Sequence, residues 1–202
     1  INQDSLMYEE HESIAIKSTY SGSRIKTMRV LLVNPPHSNR LVFPSINDKV
    51  AFSMHNFAPP LGLLYLKSFI EENNAVKVDF FNFQTPEKPS LGDFIKYLKL
   101  VSPDVVGITV LTPFWYGTCQ VTASIKKQIP DAIIIGGGPH MWEYPEESLE
   151  AGNFDIIIQG RGERPLQQLL ECLAAHKPLA NIPGTVYRKD GRIIKNRPTP
   201  LK

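Results

Sequence analysis

The strongest constraint in this chain is a rhythm: short, wholly apolar runs recur, with stretches of helical spacing between them. Val30-Leu31-Leu32-Val33, Val105-Val106-Gly107-Ile108, Ala132-Ile133-Ile134-Ile135 and Ile156-Ile157-Ile158 contain no polar alternate position. A strand with one wet face alternates apolar and polar residues, so these runs belong to strands covered on both faces. Val76-Lys77-Val78-Asp79-Phe80-Phe81 supplies a further strand. Helical spacing fills the intervals: residues 61–72 after Pro60, a helix from a Ser90 N-cap with Asp93 three residues on, residues 118–128, a short helix at 146–151, and a last helix opening after Arg164 with Pro165 near its start. Five strands alternating with helices require right-handed crossovers. The expected fold is α/β, doubly wound, with a mostly parallel five-stranded sheet.

Two short runs, 184–188 and 192–194, bracket Lys189-Asp190-Gly191. An Asp-Gly pair between apolar runs is a hairpin signal, so a small C-terminal hairpin is expected beside the sheet. The organisation reads as an N-terminal arm over 1–27, the α/β domain over 28–180, and the hairpin with a Pro198- and Pro200-containing linker over 181–202.

Composition excludes several classes. The 202 residues are 42% hydrophobic and 21% charged, enough for one substantial core, and the net charge of +2 comes from interleaved signs. No dense basic run suggests nucleic acid as a partner. Two cysteines, Cys119 and Cys172, form neither a disulfide framework nor a cluster site, and the expected compartment is the cytoplasm. No run approaches the roughly 20 apolar residues of a membrane span. The five histidines (11, 37, 55, 140, 176) show no metal-binding spacing and there is no Gly-x-Ser-x-Gly elbow, so neither a metal ligand nor a catalytic residue is assigned. Asp155 falls early in its strand, away from the edge where ligands bind.

That edge is the carboxyl end of the strands, and four loops leave it. The first, residues 34–60, is long, carries Asn34, Pro35, Pro36, His37 and His55, and holds Phe43, Phe52, Met54 and Phe57 as candidates to pack over a ligand. The second, from Thr109 through Leu111 and Thr112 to Gly117, offers two hydroxyls and the aromatic run Phe114-Trp115-Tyr116. These three cannot all face one core, so at least one is expected to be exposed or ligand-facing. The third, Gly136-Gly137-Gly138-Pro139-His140, strips side chains from a strand end so that a bulky group can reach the backbone. His140 reads equally as cofactor-facing, solvent-facing or turn-stabilising. The fourth, Gly160-Arg161-Gly162-Glu163, opens a helix whose free N–H groups favour oxygen-rich ligands. Glu163 reads equally as a cap or as an acceptor for a ligand.

Taken in order, Leu32-Val33-Asn34-Pro35-Pro36, residues 59–66, Pro103-Asp104-Val105-Val106-Gly107-Ile108, Gly136-Gly137-Gly138-Pro139-His140 and Gly160-Arg161-Gly162-Glu163 resemble the N-terminal cobalamin-binding domain of cobalamin-dependent radical S-adenosylmethionine enzymes. The resemblance covers about residues 28–200. It implies a Rossmann-like, flavodoxin-like cobalamin-binding fold that contacts the cofactor through Asn34, Pro35, Thr109, Leu111, Thr112, Gly136, Gly137, Gly138, His140, Gly160, Gly162 and Glu163. Thr109-Val110-Leu111 stands where methionine-synthase-type domains have Ser-x-Leu, and Gly136-Gly137 where they have Gly-Gly. Their Asp-x-His-x-x-Gly motif is missing, and His37 is not in an equivalent frame. The resemblance therefore implies cobalamin held base-off without a histidine beneath cobalt. It also implies a radical catalytic domain as partner, in cis or in trans, using an iron–sulfur cluster and S-adenosylmethionine. The Cys-x-x-x-Cys-x-x-Cys motif of that domain is absent from this sequence, so catalysis by this chain alone is not expected. Two other classes stay open: a protein-interaction domain of this fold without cofactor, and a nucleotide- or phosphate-binding domain.

Overall fold

Strand β1 (Arg29–Asn34) is buried at every position after its first. A strand without a wet face belongs inside a sheet, and β1 lies between β2 (Lys77–Asn82) and β3 (Val105–Thr109), parallel to both. β4 (Ile133–Gly137) and β5 (Ile156–Ile158) extend the parallel set. The order β2-β1-β3-β4-β5 makes the chain change direction across the sheet between β1 and β3, where open α/β sheets form a ligand crevice. The computed structural model describes residues 28–36, 59–73, 76–179 and 181–198; the expected N-terminal arm, His37, His55 and the aromatic residues of the first loop lie outside them.

The helices are α1 (Leu61–Asn73), α2 (Leu91–Val101), α3 (Trp115–Gln128), α4 (Pro139–Glu143), α5 (Pro145–Ala151) and α6 (Glu163–Ala174). Alternation along the strands sorts the core into two layers. Leu31, Val33, Val106, Ile108 and Ile134 pack with Phe94 and Leu98 of α2 and Val121 and Ile125 of α3. On the other face, Val30, Leu32, Val105, Ile135 and Ile156 meet Leu63 and Ile70 of α1 and Leu166, Leu169 and Leu173 of α6. Ser90 and Asp93 form the full capping box at the start of α2, each side chain accepting the other's backbone N–H. Asp155 lies at the edge opposite the ligand crevice, accepting from the Ile134 N–H and from Lys126, both at 2.7 Å.

One expectation needs correcting. The C-terminal hairpin is not beside the sheet but part of it: β6 (Thr185–Lys189) pairs antiparallel with β5, and β7 (Arg192–Lys195) antiparallel with β6. The sheet is mixed and seven-stranded rather than a mostly parallel five-stranded one. The reason is edge chemistry. β5 has three residues, all buried, and its outer N–H and C=O groups find their partners in β6. The Asp-Gly signal itself holds, since Asp190 (φ 49°) and Gly191 (φ 74°) form the two-residue turn with both φ values positive. Smaller boundaries also shift: β4 runs on through Gly136 and Gly137, a 3-10 turn (Thr112–Phe114) precedes α3, and α6 begins at Glu163. Among the described residues no helix is long and apolar enough to cross a membrane.

Candidate functional site

The carboxyl ends of β1, β3, β4 and β5 make one rim. Thr109 stands directly opposite Gly137, and Asn34 follows Val33, which is opposite Ile108. Because side chains alternate, Asn34, Thr109 and Gly137 share the face that carries α1 and α6. The chain returns to this rim: β6 starts here, and residues 196–198 leave β7 here, with Pro198 4.0 Å from the position a Cβ of Gly160 would take.

The three glycines after Ile135 do three different things. At Gly137 an added Cβ would point to the α1/α6 face and meet nothing within 4 Å among the described residues. At Gly136 a Cβ would sit 2.9–3.0 Å from Phe154, Ile157 and Met141; that residue packs the opposite layer and does not face the opening. Gly138 has φ 98°, and a Cβ there would lie 2.8 Å from the Val110 carbonyl oxygen and 3.0 Å from the Thr109 hydroxyl. Only glycine permits that turn. The Val110 N–H donates to the Gly137 carbonyl (2.8 Å) and the His140 N–H to the Val110 carbonyl (3.1 Å), tying the loops after β3 and β4 together.

Other expected residues surround the opening. Leu111 is 42% exposed beside Thr109. Gly160 adopts φ 86°, and a Cβ there would lie 3.3 Å from the indole of Trp142, which is itself 48% exposed. A Cβ at Gly162 would lie 3.9 Å from Leu66 of α1, so the two helices that cover this face approach each other at the rim. Glu163 occupies the first turn of α6, where its charge suits the helix N-terminus, and pairs with Arg161 at 3.2 Å. Asn34 and Pro35 are turned inward: the Asn34 amide donates to Asn82 (2.8 Å), and Gln84 donates to the Pro35 carbonyl (2.9 Å). The aromatic run divides as its spacing requires, with Phe114 buried, Trp115 half-buried and Tyr116 exposed. Trp142 and Gln84 carry no signal in the sequence; neighbouring glycines and the strand register bring them to the rim.

The B12-binding domain model matches residues 48–170. The chain belongs to the B12-binding domain family. It is 31% identical over 88% of its length to the uncharacterized methyltransferase PH0819 of Pyrococcus horikoshii, and 25% identical over 86% to the anaerobic magnesium-protoporphyrin IX monomethyl ester cyclase of Synechocystis. It covers 36% and 33% of those two proteins, about a third of their length. Among solved structures, its fold is shared with the radical S-adenosylmethionine methyltransferase TsrM from Kitasatospora setae, bound to cobalamin and a [4Fe-4S] cluster (TM-score 0.69, 22% identity, 88% of this chain and 30% of that one). The cobalamin-dependent S-adenosylmethionine radical enzyme OxsB with aqua-cobalamin matches equally (TM-score 0.69, 21% identity, 88% and 23%).

In this B12-binding domain His140 is a buried residue. It is 4% exposed, lies on the side of the rim away from Gly137, and shares a hydrogen bond between Nδ1 and the Thr112 hydroxyl (3.2 Å). Its ring packs on Trp115 (centroids 4.5 Å apart) and Tyr144 (5.2 Å). Burial holds the imidazole below its ordinary value of 6.5, against the opposing pull of Glu147 on α5. The unfolded chain therefore takes up a proton near 6.5 while the folded one does not. Stability contributed by neutral His140 is present above that value and is lost as pH falls from it toward the folded pKa. Urea unfolding of the wild type should lose midpoint below pH 6.5 more steeply than His140→Phe does. Parallel slopes in the two proteins would contradict this. Among the described residues no group of three or more His, Cys, Asp or Glu is placed to hold a metal ion.

Proposed function

We propose that this chain is a corrinoid-binding module that takes the nucleotide tail of cobalamin between the sheet and helices α1 and α6. One observation carries the reading: Gly137 ends a central strand with no described residue within 4 Å of the place where a side chain would stand. A corrin ring with a long tail needs both a slot clear of side chains and a broad apolar shelf beside it. Leu111 and Trp142 supply exposed apolar surface at the same rim. The Thr109 hydroxyl and the first-turn N–H groups of α6, which has no side-chain cap, supply donors for an oxygen-rich tail. Thr109, Leu111, Gly137, Gly138, Gly160, Gly162 and Glu163 would hold the group; Gly136, Asn34, Pro35, Thr112 and His140 would shape the loops that hold it.

When bound, the group supplies a cobalt centre able to carry a methyl group, and the protein's contribution is orientation and exclusion of water. Base-off binding without a protein histidine beneath cobalt is supported by the burial of His140, which is 4% exposed with its ring packed against Trp115 and Tyr144. His176 follows α6 at its far end, away from the rim. We infer that the module serves a radical S-adenosylmethionine catalytic domain carrying the iron–sulfur cluster, in the cytoplasm. The departure of residues 196–198 from the ligand rim favours that arrangement.

Titration of the protein with hydroxocobalamin should give a saturable base-off absorption spectrum, with corrinoid and protein co-eluting on size exclusion. Absence of co-elution would remove the reading. Saturable nucleotide binding without corrinoid binding would replace it with a phosphate-binding one.

A further inference from the structure

We propose that His140 is a positioning residue: through Nδ1 it locks the turn after β3 onto α4 and so sets the shelf at the mouth of the Gly137 opening. This rests on the corrinoid reading. Two backbone hydrogen bonds, Val110 N–H to Gly137 and His140 N–H to Val110, already join the two loops at their roots, and neither uses the His140 side chain. They stop short of Leu111 and Thr112, which form the exposed part of the turn. The bond between His140 Nδ1 and the Thr112 hydroxyl extends the join to that part.

Packing alone does not account for an imidazole here. Nε2 is buried and has no hydrogen-bond partner among the described residues. Leaving a buried polar atom unpaired costs more than an ordinary buried hydrogen bond contributes, so an apolar ring of similar size would serve the core better. What the imidazole offers beyond an apolar ring is a nitrogen facing Thr112. Trp115 and Tyr144 pack against the ring and fix its plane, so Nδ1 cannot swing away from that hydroxyl. A turn held at both root and tip presents Leu111 in one place, which lowers the ordering cost of binding a large, flat ligand.

The test uses four variants of the full chain: His140→Phe, His140→Asn, Thr112→Val and the His140→Phe/Thr112→Val double. Amide hydrogen exchange of residues 111–115 without cofactor should speed up in the Phe and Val single variants, while His140→Phe is as resistant to urea as the wild type at neutral pH. Hydroxocobalamin affinity should weaken about 10-fold in each, and no further in the double, because both remove one interaction. His140→Asn, whose amide nitrogen stands near the place of Nδ1, should recover exchange protection and affinity. Additive losses, failure of Asn to do better than Phe, or unchanged exchange would overturn the proposal. If the wild type itself binds no corrinoid, the functional reading falls, and the exchange rates still decide whether His140 holds the turn.

Discussion

Replacing Gly137 with leucine is expected to abolish corrinoid binding while leaving the fold intact. No described residue lies within 4 Å of the Cβ direction, so the leucine enters the opening rather than the core. The protein should unfold in urea within error of the wild type, yet lose roughly 100-fold or more in hydroxocobalamin affinity, about 3 kcal/mol. The neighbouring glycines provide the contrast. Gly136→Val drives into Phe154, Ile157 and Met141 and should cost roughly 1–3 kcal/mol of stability by overpacking. Gly138→Ala forces a side chain into a φ of 98° and against the backbone of Val110, and should cost about 2 kcal/mol or more. Affinity titration and urea unfolding, run on all three, separate the slot from its scaffold. If Gly137→Leu binds corrinoid like the wild type, the slot is somewhere else.

The three glycines also show how far the sequence could be read. Their composition announces that a backbone must be approached closely, but not by what. Gly136 is approached by the protein's own Phe154, Gly138 by its own Val110, and Gly137 by no described residue. That division depends on which face each residue takes, and the face is set by where β4 ends. An apolar run gives a strand's centre well and its ends poorly, because strand pairing, not hydrophobicity, decides the last residues. The parallel core was legible for the opposite reason: continuous burial of Leu31–Val33 and Val105–Ile108 leaves no other place for those runs. His140 could not be placed from sequence, since its burial comes from Trp115 and Tyr144, one of them in a different helix.

The hairpin is where the sequence misled most, and it yields the second large effect. A chain ending at residue 180 is expected to lose its cooperative fold. Ile182, Val186 and Tyr187 are each at most 5% exposed, and burying a large apolar side chain contributes about 1.5–3 kcal/mol. Losing three of them removes roughly 5 kcal/mol or more, comparable with the whole stability of an ordinary domain. The backbone loss compounds it: β5 would present Ile156–Ile158 as a bare, wholly apolar edge, the kind of edge that pairs with other chains. The rim would suffer as well, because the Gln159 N–H donates to Gly184 (2.8 Å), which anchors the turn leading to Gly160 and α6. The truncated protein should therefore aggregate or give a broad, uncooperative urea transition, and a version ending at 198 should not. A sharp transition at the full-length midpoint in the shorter chain would mean that β6 and β7 are an accessory after all, and that β5 can close the sheet unaided.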